Sequence, residues 1–250
     1  MRAVIWFTVL VILILVGGLV FVGGEELFHL FEQKRMSPRP IQEMNSQDVE
    51  KIDLPAPKKA SSTSFEEVVA GRRSRRSFKS KELSLEHISQ LLWVAQGITD
   101  KEKRYRAAPS AGALYPLELY LVVGGGGVEN LGSGVYHYIP EAHSLEKLLA
   151  DDLVSNLAQK CLGQNFIADA PVSLVITTDY SRVTGKYGER GRRYVHMEAG
   201  HAAQNVYLQG ESLGLGTVTV GAFEDEEIIE LLQLPSEHKP LYVMPIGYPK

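Results

Sequence analysis

The chain of 250 residues contains a single cysteine, Cys161. An internal disulfide is therefore excluded, and no second thiol can complete a cysteine-based metal site. As a small apolar residue, Cys161 is expected in the core rather than as a nucleophile. A strong charge imbalance is also lacking: 26 Lys and Arg face 30 Asp and Glu, a formal net charge of -4. No global field draws such a chain to nucleic acid, so any phosphate binding must come from local basic clusters. The four glycines at 124–127 follow an apolar run but lack the G-x-G-x-x-G pattern and lead into Val128, Glu129 and Asn130 without a capped helix, so they read as a flexible loop. A zinc-binding helix is missing too. His196 and His201 flank Glu198 in the order His-x-Glu-x-x-His, and a five-residue spacing sets them roughly 140° apart around a helix, so no metal is expected there. No internal repeat is present.

What the chain does contain, 44% hydrophobic and 22% charged residues, suits one ordinary globular domain with extra segments. From Ala3 to Gly24 there is no charged residue. As a helix this stretch covers roughly 33 Å, enough to cross a bilayer core, and 1–24 is expected to be an uncleaved transmembrane anchor. A cleaved secretory signal is the rival, but Val22, Gly23 and Gly24 make a poor cleavage site. Arg2 on one flank and Lys34, Arg35 and Arg39 on the other leave the orientation open. Residues 25–62, with Pro38, Pro40, Pro55 and Pro57 among polar residues, are expected to form an extended linker, and 63–250 the folded domain.

Within that domain Ser64 and Glu67 form a capping box for a short helix that Gly71 stops. Ser84 caps a second helix, with Leu85, Ile88, Leu91, Leu92 and Ala95 facing inward and Gly97 at its end. The runs 117–123, 135–139, 172–178 and 241–246 have strand character. The longest helix is expected over 190–212, with Val195, Ala199, Ala202 and Val206 near one face. Strands separated by helices predict an α+β fold layered around one central sheet.

Two motifs carry chemistry. Arg72, Arg73, Ser74, Arg75, Arg76, Ser77 and Phe78 lie between the first two helices. Taken alone, such a run is a solvated basic loop or a nucleic-acid patch, but guanidinium forks interleaved with hydroxyls suit a phosphate monoester better than a long polyanion. Ala108, Pro109, Ser110, Ala111, Gly112, Ala113, Leu114, Tyr115 and Pro116 lead into a strand. Small residues there let a ligand approach the main chain, or simply make a tight turn.

With Gly134 to Tyr138, Lys186-Tyr187-Gly188, Glu198-Ala199-Gly200-His201, Gln204-Asn205 and Leu213 to Gly216 leading to Val220-Gly221-Ala222-Phe223, these motifs resemble the nitroreductase superfamily over the whole folded domain. The likeness is to its SagB/ThcOx-type FMN-dependent dehydrogenases. The resemblance implies a nitroreductase-like α+β fold with a central, mostly antiparallel sheet flanked by helices, and an intertwined homodimer with two flavins at its interface. It assigns Arg72, Ser74 and Arg76, with the Arg73 main chain, to the FMN phosphate, ribityl chain and pyrimidine edge. Pro109, Ser110, Ala111 and Gly112 would line the flavin from the partner subunit, and Val220 and Gly221 would offer main-chain groups near its reactive nitrogen. Lys186 and Tyr187 match the pair that removes a proton during azoline dehydrogenation. Arg182, Arg190, Arg192 and Arg193 stand close enough in sequence to lower a lysine pKa, although an exposed lysine beside a packing tyrosine would look the same.

The expected function is an FMN-dependent oxidoreductase, held at a membrane by its N-terminal segment, that transfers a hydride between flavin and a small organic or peptide-derived, azoline-like substrate. The alternatives are an NAD(P)H-dependent nitro or quinone reductase and a non-catalytic flavin-binding interaction module. No nucleic-acid partner is expected.

Overall fold

The computed structural model describes residues 50–250. The expected membrane span at 3–24 and the first part of the expected linker lie outside them. Among the described residues no helix is long and apolar enough to cross a membrane.

The elements follow in the order β1 (Lys51–Asp53), α1 (Phe65–Gly71), α2 (Leu85–Gln96), β2 (Ile98–Asp100), β3 (Tyr105–Arg106), β4 (Leu117–Val123), β5 (Gly134–Ile139), β6 (Ser144–Leu149), α3 (Val154–Lys160), β7 (Val172–Asp179), α4 (Ser181–Tyr187), α5 (Arg190–Ser212), β8 (Gly216–Thr217), α6 (Asp225–Leu232) and β9 (His238–Gly247). Seven strands form one sheet in the order β1-β6-β5-β4-β7-β9-β8, and every neighbouring pair is antiparallel. β2 and β3 make a separate small hairpin.

Both faces of the sheet are covered, which is why its central strands read as nearly continuous apolar runs. Alternate residues of β4 show the two sides. Leu119, Leu121 and Val123 join α2 and the Val195, Ala199, Ala202 and Val206 stripe of α5. Tyr120 and Val122 join Val154 and Leu157 of α3 and Ile228 and Leu232 of α6.

Both expected caps form. Ser64 N–H donates to Glu67 Oε2 at 2.9 Å and Glu67 N–H to Ser64 Oγ at 3.2 Å. Ser84 is paired in the same reciprocal way with His87, and Gly97 closes α2. α5 spans the residues expected of the longest helix.

Part of the expected linker, residues 51–58, is bonded to the folded body. Lys51, Ile52 and Asp53 pair with Glu146, Leu145 and Ser144 of β6. Pro55 O accepts hydrogen bonds from Ser89 Oγ at 2.5 Å and from His143 Nε2 at 3.1 Å, and Gln90 binds both the N–H and the C=O of Lys58. Prolines exclude a helix here but not an edge strand, and the strand that receives this segment lies about ninety residues away in the chain. β6 carries no clear strand signal of its own, because Ser144, Glu146 and Lys147 break its apolar pattern.

Leu174 stands in a central strand, 1% exposed, beneath the α2 and α5 layer. Leu174→Ala should lower the unfolding free energy by about 2–5 kcal/mol, read from the shift of the urea midpoint at unchanged slope.

Candidate functional site

The basic segment begins where Arg72 ends α1 and runs beside β8. Ser74 forms a parallel bridge with Thr217, and Arg75 N–H donates to Thr217 O at 2.9 Å. This approach needs a residue without a side chain at 216, since a Cβ on Gly216 would fall 2.7 Å from Arg75 Cβ.

The gathering point is Tyr207 of α5. Its hydroxyl lies 3.3 Å from Ser74 Oγ and accepts the Thr219 N–H at 2.8 Å, while the Arg72 guanidinium stands 5.2 Å from the ring centroid. Burial pushes the phenol up, but hydrogen bonds from Ser74 and Thr219 and the nearby Arg72 charge outweigh it and hold its pKa below the usual value. Val220, one residue on, exchanges main-chain hydrogen bonds of 2.9 Å with Val243. Gly221 is exposed, and a Cβ there would meet nothing nearer than Tyr242 at 3.9 Å. The space over its main chain is therefore open.

Arg72, Ser74, Val220 and Gly221 are thus brought together. Two other guanidinium groups of the segment are directed elsewhere. Arg73 Nη1 donates to Ala70 O at 3.0 Å and Arg72 O at 2.8 Å, capping the end of α1. The Arg76 guanidinium stands 5.8 Å from the Phe166 ring.

A second group forms around the turn that carries Pro109, Ser110, Ala111 and Gly112. Gly112, Ala113 and Tyr115 all have left-handed backbones, with φ of 65°, 53° and 47°. For Ala113 and Tyr115 that conformation is strained and needs support from outside the turn. Ser110 supplies part of it: its Oγ accepts the Tyr115 N–H at 2.9 Å and its C=O the Ala113 N–H at 3.1 Å. Gly112 faces the end of α4, where a Cβ would fall 2.7 Å from Tyr187 Oη and 3.0 Å from Lys186 Nζ. The two expected motifs therefore meet within one chain.

Lys186 is exposed, and Tyr187 packs edge-on against Tyr194 of α5 with ring centroids 5.2 Å apart. Two of the arginines expected to crowd this lysine are occupied by carboxylates. Arg182 contacts Glu118 at 2.6 Å and Asp179 at 3.3 Å, and Arg192 contacts Glu189 at 3.0 Å. Their charge is balanced locally rather than aimed at Lys186.

Glu198 opens the Glu198-Ala199-Gly200-His201 motif, and no role for it follows from the sequence. It is 2% exposed on α5, beside Ser110, with Arg106 and Gln96 as its other polar neighbours. Burial raises its carboxyl to about 7 against the opposing effects of Ser110, Arg106 and Gln96, and Oε1 has no hydrogen-bond partner among the described residues. A signal existed in the sequence. Glu198 stands three residues after Val195 and four before Ala202, a carboxylate on the buried stripe. Tyr207 falls beside Val206 at the other end of the helix and left no comparable mark.

Elsewhere, Cys161 is buried and its thiol is pushed up to about 12 by burial, which removes it as a nucleophile at neutral pH. His196 Nε2 lies 2.6 Å from the Tyr180 hydroxyl.

Glu198 and Tyr207 stand nine positions apart on α5, about 14 Å along the axis. Three concavities of about 460, 370 and 940 Å³ among the described residues are lined by other side chains. One group is a set of donors suited to an anion, and the other pairs an amine with a phenol beside a bare main-chain turn.

The pKa of Glu198 carries a sign for stability. Between its unperturbed value of 4.5 and about 7 the folded chain keeps a proton that the unfolded chain releases. This contribution is therefore full at low pH and declines as pH rises through that window. Urea midpoints of the wild type and Glu198→Gln, compared across and above the window, should show that decline only in the wild type.

Comparisons with known proteins agree on one family. The nitroreductase family model matches residues 69–248. A protein of Methanocaldococcus jannaschii assigned as a nitroreductase is 47% identical over 205 residues, covering 82% of this chain and 96% of the relative. The microcin B17-processing protein McbC of Escherichia coli is 30% identical over 155 residues, 61% of this chain and 57% of the relative. A crystal structure of a Ralstonia eutropha protein, also assigned as a nitroreductase, superposes with a TM-score of 0.70 at 29% identity, covering 80% of this chain and 90% of that one. With the seven-stranded antiparallel sheet, the helices on both its faces and a family match that runs from α1 to the end of β9, the chain belongs to the nitroreductase family.

Proposed function

We propose that this nitroreductase-family oxidoreductase uses FMN and acts on a small organic or peptide-derived, azoline-like substrate, in the manner of SagB-type dehydrogenases. The observation that carries the proposal is the seating of Lys186 and Tyr187 against the Gly112 turn, an amine and a phenol converging where the main chain is bare. The likeness to a microcin-processing protein supports a peptide-derived substrate. The likeness to the M. jannaschii protein supports the second reading, an NAD(P)H-dependent nitro or quinone reductase.

The residues fit FMN. Arg72 and Ser74 offer a guanidinium fork and a hydroxyl to its phosphate and ribityl chain, the Arg73 main chain remains available, and open space over Gly221 leaves room for a flat ring beside Val220. Arg76 would join them by leaving Phe166. When bound, FMN supplies the hydride chemistry. The chain's part is to hold the cofactor, to present Lys186 as the group that takes a proton from substrate, and to keep Tyr187 in hydrogen-bonding reach through its packing on Tyr194.

A homodimer is part of the proposal. The separation of the two groups along α5 is what a site shared between subunits requires, with Pro109, Ser110, Ala111 and Gly112 of one subunit facing the FMN of the other. Phe65 and Val69, 67% and 48% exposed on α1, and Met197, 53% exposed on α5, are apolar side chains available to such a contact. Residues 1–24 are proposed to anchor the protein at a membrane, where a quinone is a further candidate electron partner.

The purified chain should show a flavin absorption spectrum and release FMN on heating. Arg72→Ala with Ser74→Ala should weaken FMN binding roughly 10- to 100-fold, the loss of one or two charge-assisted hydrogen bonds. A colourless, folded chain that takes up no added FMN would sink the proposal. Lys186→Ala separates the two readings. It should cut dehydrogenation of a thiazoline-containing peptide by roughly 10²-fold or more and spare menadione reduction by NADH; equal, undiminished rates on both would favour the reductase.

A further inference from the structure

We infer that the connector at 160–167, between α3 and β7, is a wall of the cofactor site, in which Gln164 is a positioning residue that fixes the main chain at 221–223. The inference rests on the proposed seat of FMN beside Val220 and Gly221.

The connector is anchored in the core. Cys161 and Ile167 are each 0% exposed, in the same apolar cluster as Val220, Ile228 and Leu232. Between these anchors the chain turns sharply, with Leu162 and Gly163 both left-handed at φ of 56° and 71°. Gly163 N–H donates to Ala158 O at 3.1 Å and to Gln159 O at 3.3 Å, which closes the end of α3. Gln164 and Phe166 are left only partly buried, and each reaches one of the segments assigned to FMN.

Gln164 reaches the segment after β8. Its Nε2 donates to Cys161 O at 2.9 Å and to Ala222 O at 3.0 Å. Both partners are carbonyls, so the amide turns its NH2 end to them and both protons are used. Two more contacts join the same elements: Glu224 N–H donates to Lys160 O at 3.2 Å, and Lys160 Nζ lies 3.0 Å from Glu227. Phe166 completes the wall from the other side, its ring 5.8 Å from the Arg76 guanidinium. One short connector therefore meets both the basic segment and the main chain beside Val220.

The stretch that Gln164 holds has little else to hold it. Val220 is bonded to Val243 and Glu224 to Lys160, but Gly221, Ala222 and Phe223 make no other hydrogen bond among the described residues. Gly221 and Ala222 are also exposed. In a trans peptide the C=O and N–H point opposite ways, so drawing the Ala222 C=O to the connector turns the Phe223 N–H away from it. A single side-chain amide thus orients main-chain donors that have no partner of their own. Donors held in place in advance stabilise negative charge that develops beside them, which is the charge a reduced flavin ring carries. An apolar residue at 164 would keep the turn but leave the Ala222 C=O to water.

The test compares the full chain with Gln164→Met, which keeps the length of the side chain and loses its donors. Hydrogen exchange of the cofactor-free chain, read by mass spectrometry over residues 218–228, follows the Glu224 amide. Its exchange should rise roughly 2- to 10-fold in Gln164→Met, the loss of one hydrogen bond, while β7 and β9 keep their protection. With FMN bound, the flavin midpoint potential, read against a dye of known potential, should be lower in the variant than in the wild type. Unchanged exchange at Glu224 overturns the inference, as does a loss of protection spread through β7 and β9. Raised exchange with a wild-type potential overturns it too, since Gln164 would then hold the loop without serving the cofactor. If Gln164→Met does not fold, Gln164→Glu, the same shape with no donor when ionised, decides by exchange at Glu224. A chain that binds no FMN overturns the proposed function instead, and exchange in the cofactor-free chain still decides whether Gln164 holds the loop.

Discussion

The burial of one face of α5 against the sheet is the interaction on which both groups of the site depend. Val195, Ala199, Ala202 and Val206 anchor the helix to a layer that includes Leu119, Leu121, Leu174 and Ile176. Two of the buried side chains on that anchored helix are polar at the tip. Tyr207 reaches Ser74 and Thr219 and so ties the basic segment to the strand region that precedes Val220. Glu198 lies beside Ser110 near the other end. Because the helix is fixed by apolar packing, these polar groups are held at set positions without having to stabilise the fold themselves.

Charge is arranged differently in the two groups. Around Arg72 and Ser74 no carboxylate pairs with the guanidinium among the described residues, and the nearest contacts are an aromatic ring and hydroxyls. An incoming anion would meet donors that have no ionic partner among the described residues to give up. Around Lys186 two of the neighbouring arginines are spoken for, Arg182 by Glu118 and Asp179 and Arg192 by Glu189. Burial works to raise the Glu118 carboxyl, yet its contacts with His137 and Arg182 outweigh this and hold it below the usual range. These ion pairs fasten α4 to the start of β4, and through it fix where Lys186 and Tyr187 begin. The basic character of this stretch of sequence is therefore structural in part.

Much of the fold was legible from local patterns. The capping boxes at Ser64 and Ser84, the apolar stripe of α5 and the runs that became β4, β5, β7 and β9 each rest on neighbours within a few residues. What escaped was held by distant partners or edge positions. β1 exists because β6 is there to receive it, and a stretch with Pro55 and Pro57 carries no strand signal of its own. In the candidate site, the basic segment and the small-residue turn were visible because each is continuous in sequence. The separate directions of Arg73 and Arg76 were not, since they depend on the end of α1 and on Phe166.

The sequence by itself determined the family, the layered α+β architecture and the residue types from which a phosphate-binding segment and a Lys-Tyr pair can be built, since all of these are carried by short contiguous motifs and by apolar periodicity. The tertiary structure alone decided that Gly112 faces Lys186 and Tyr187, that Tyr207 collects Arg72, Ser74 and Thr219, and that the Glu198 carboxyl is buried. Those relations join residues about ten to more than a hundred positions apart. Only the packing of α5 on the sheet sets such distances, and a carboxylate acquires its raised pKa only when the surrounding layers close over it.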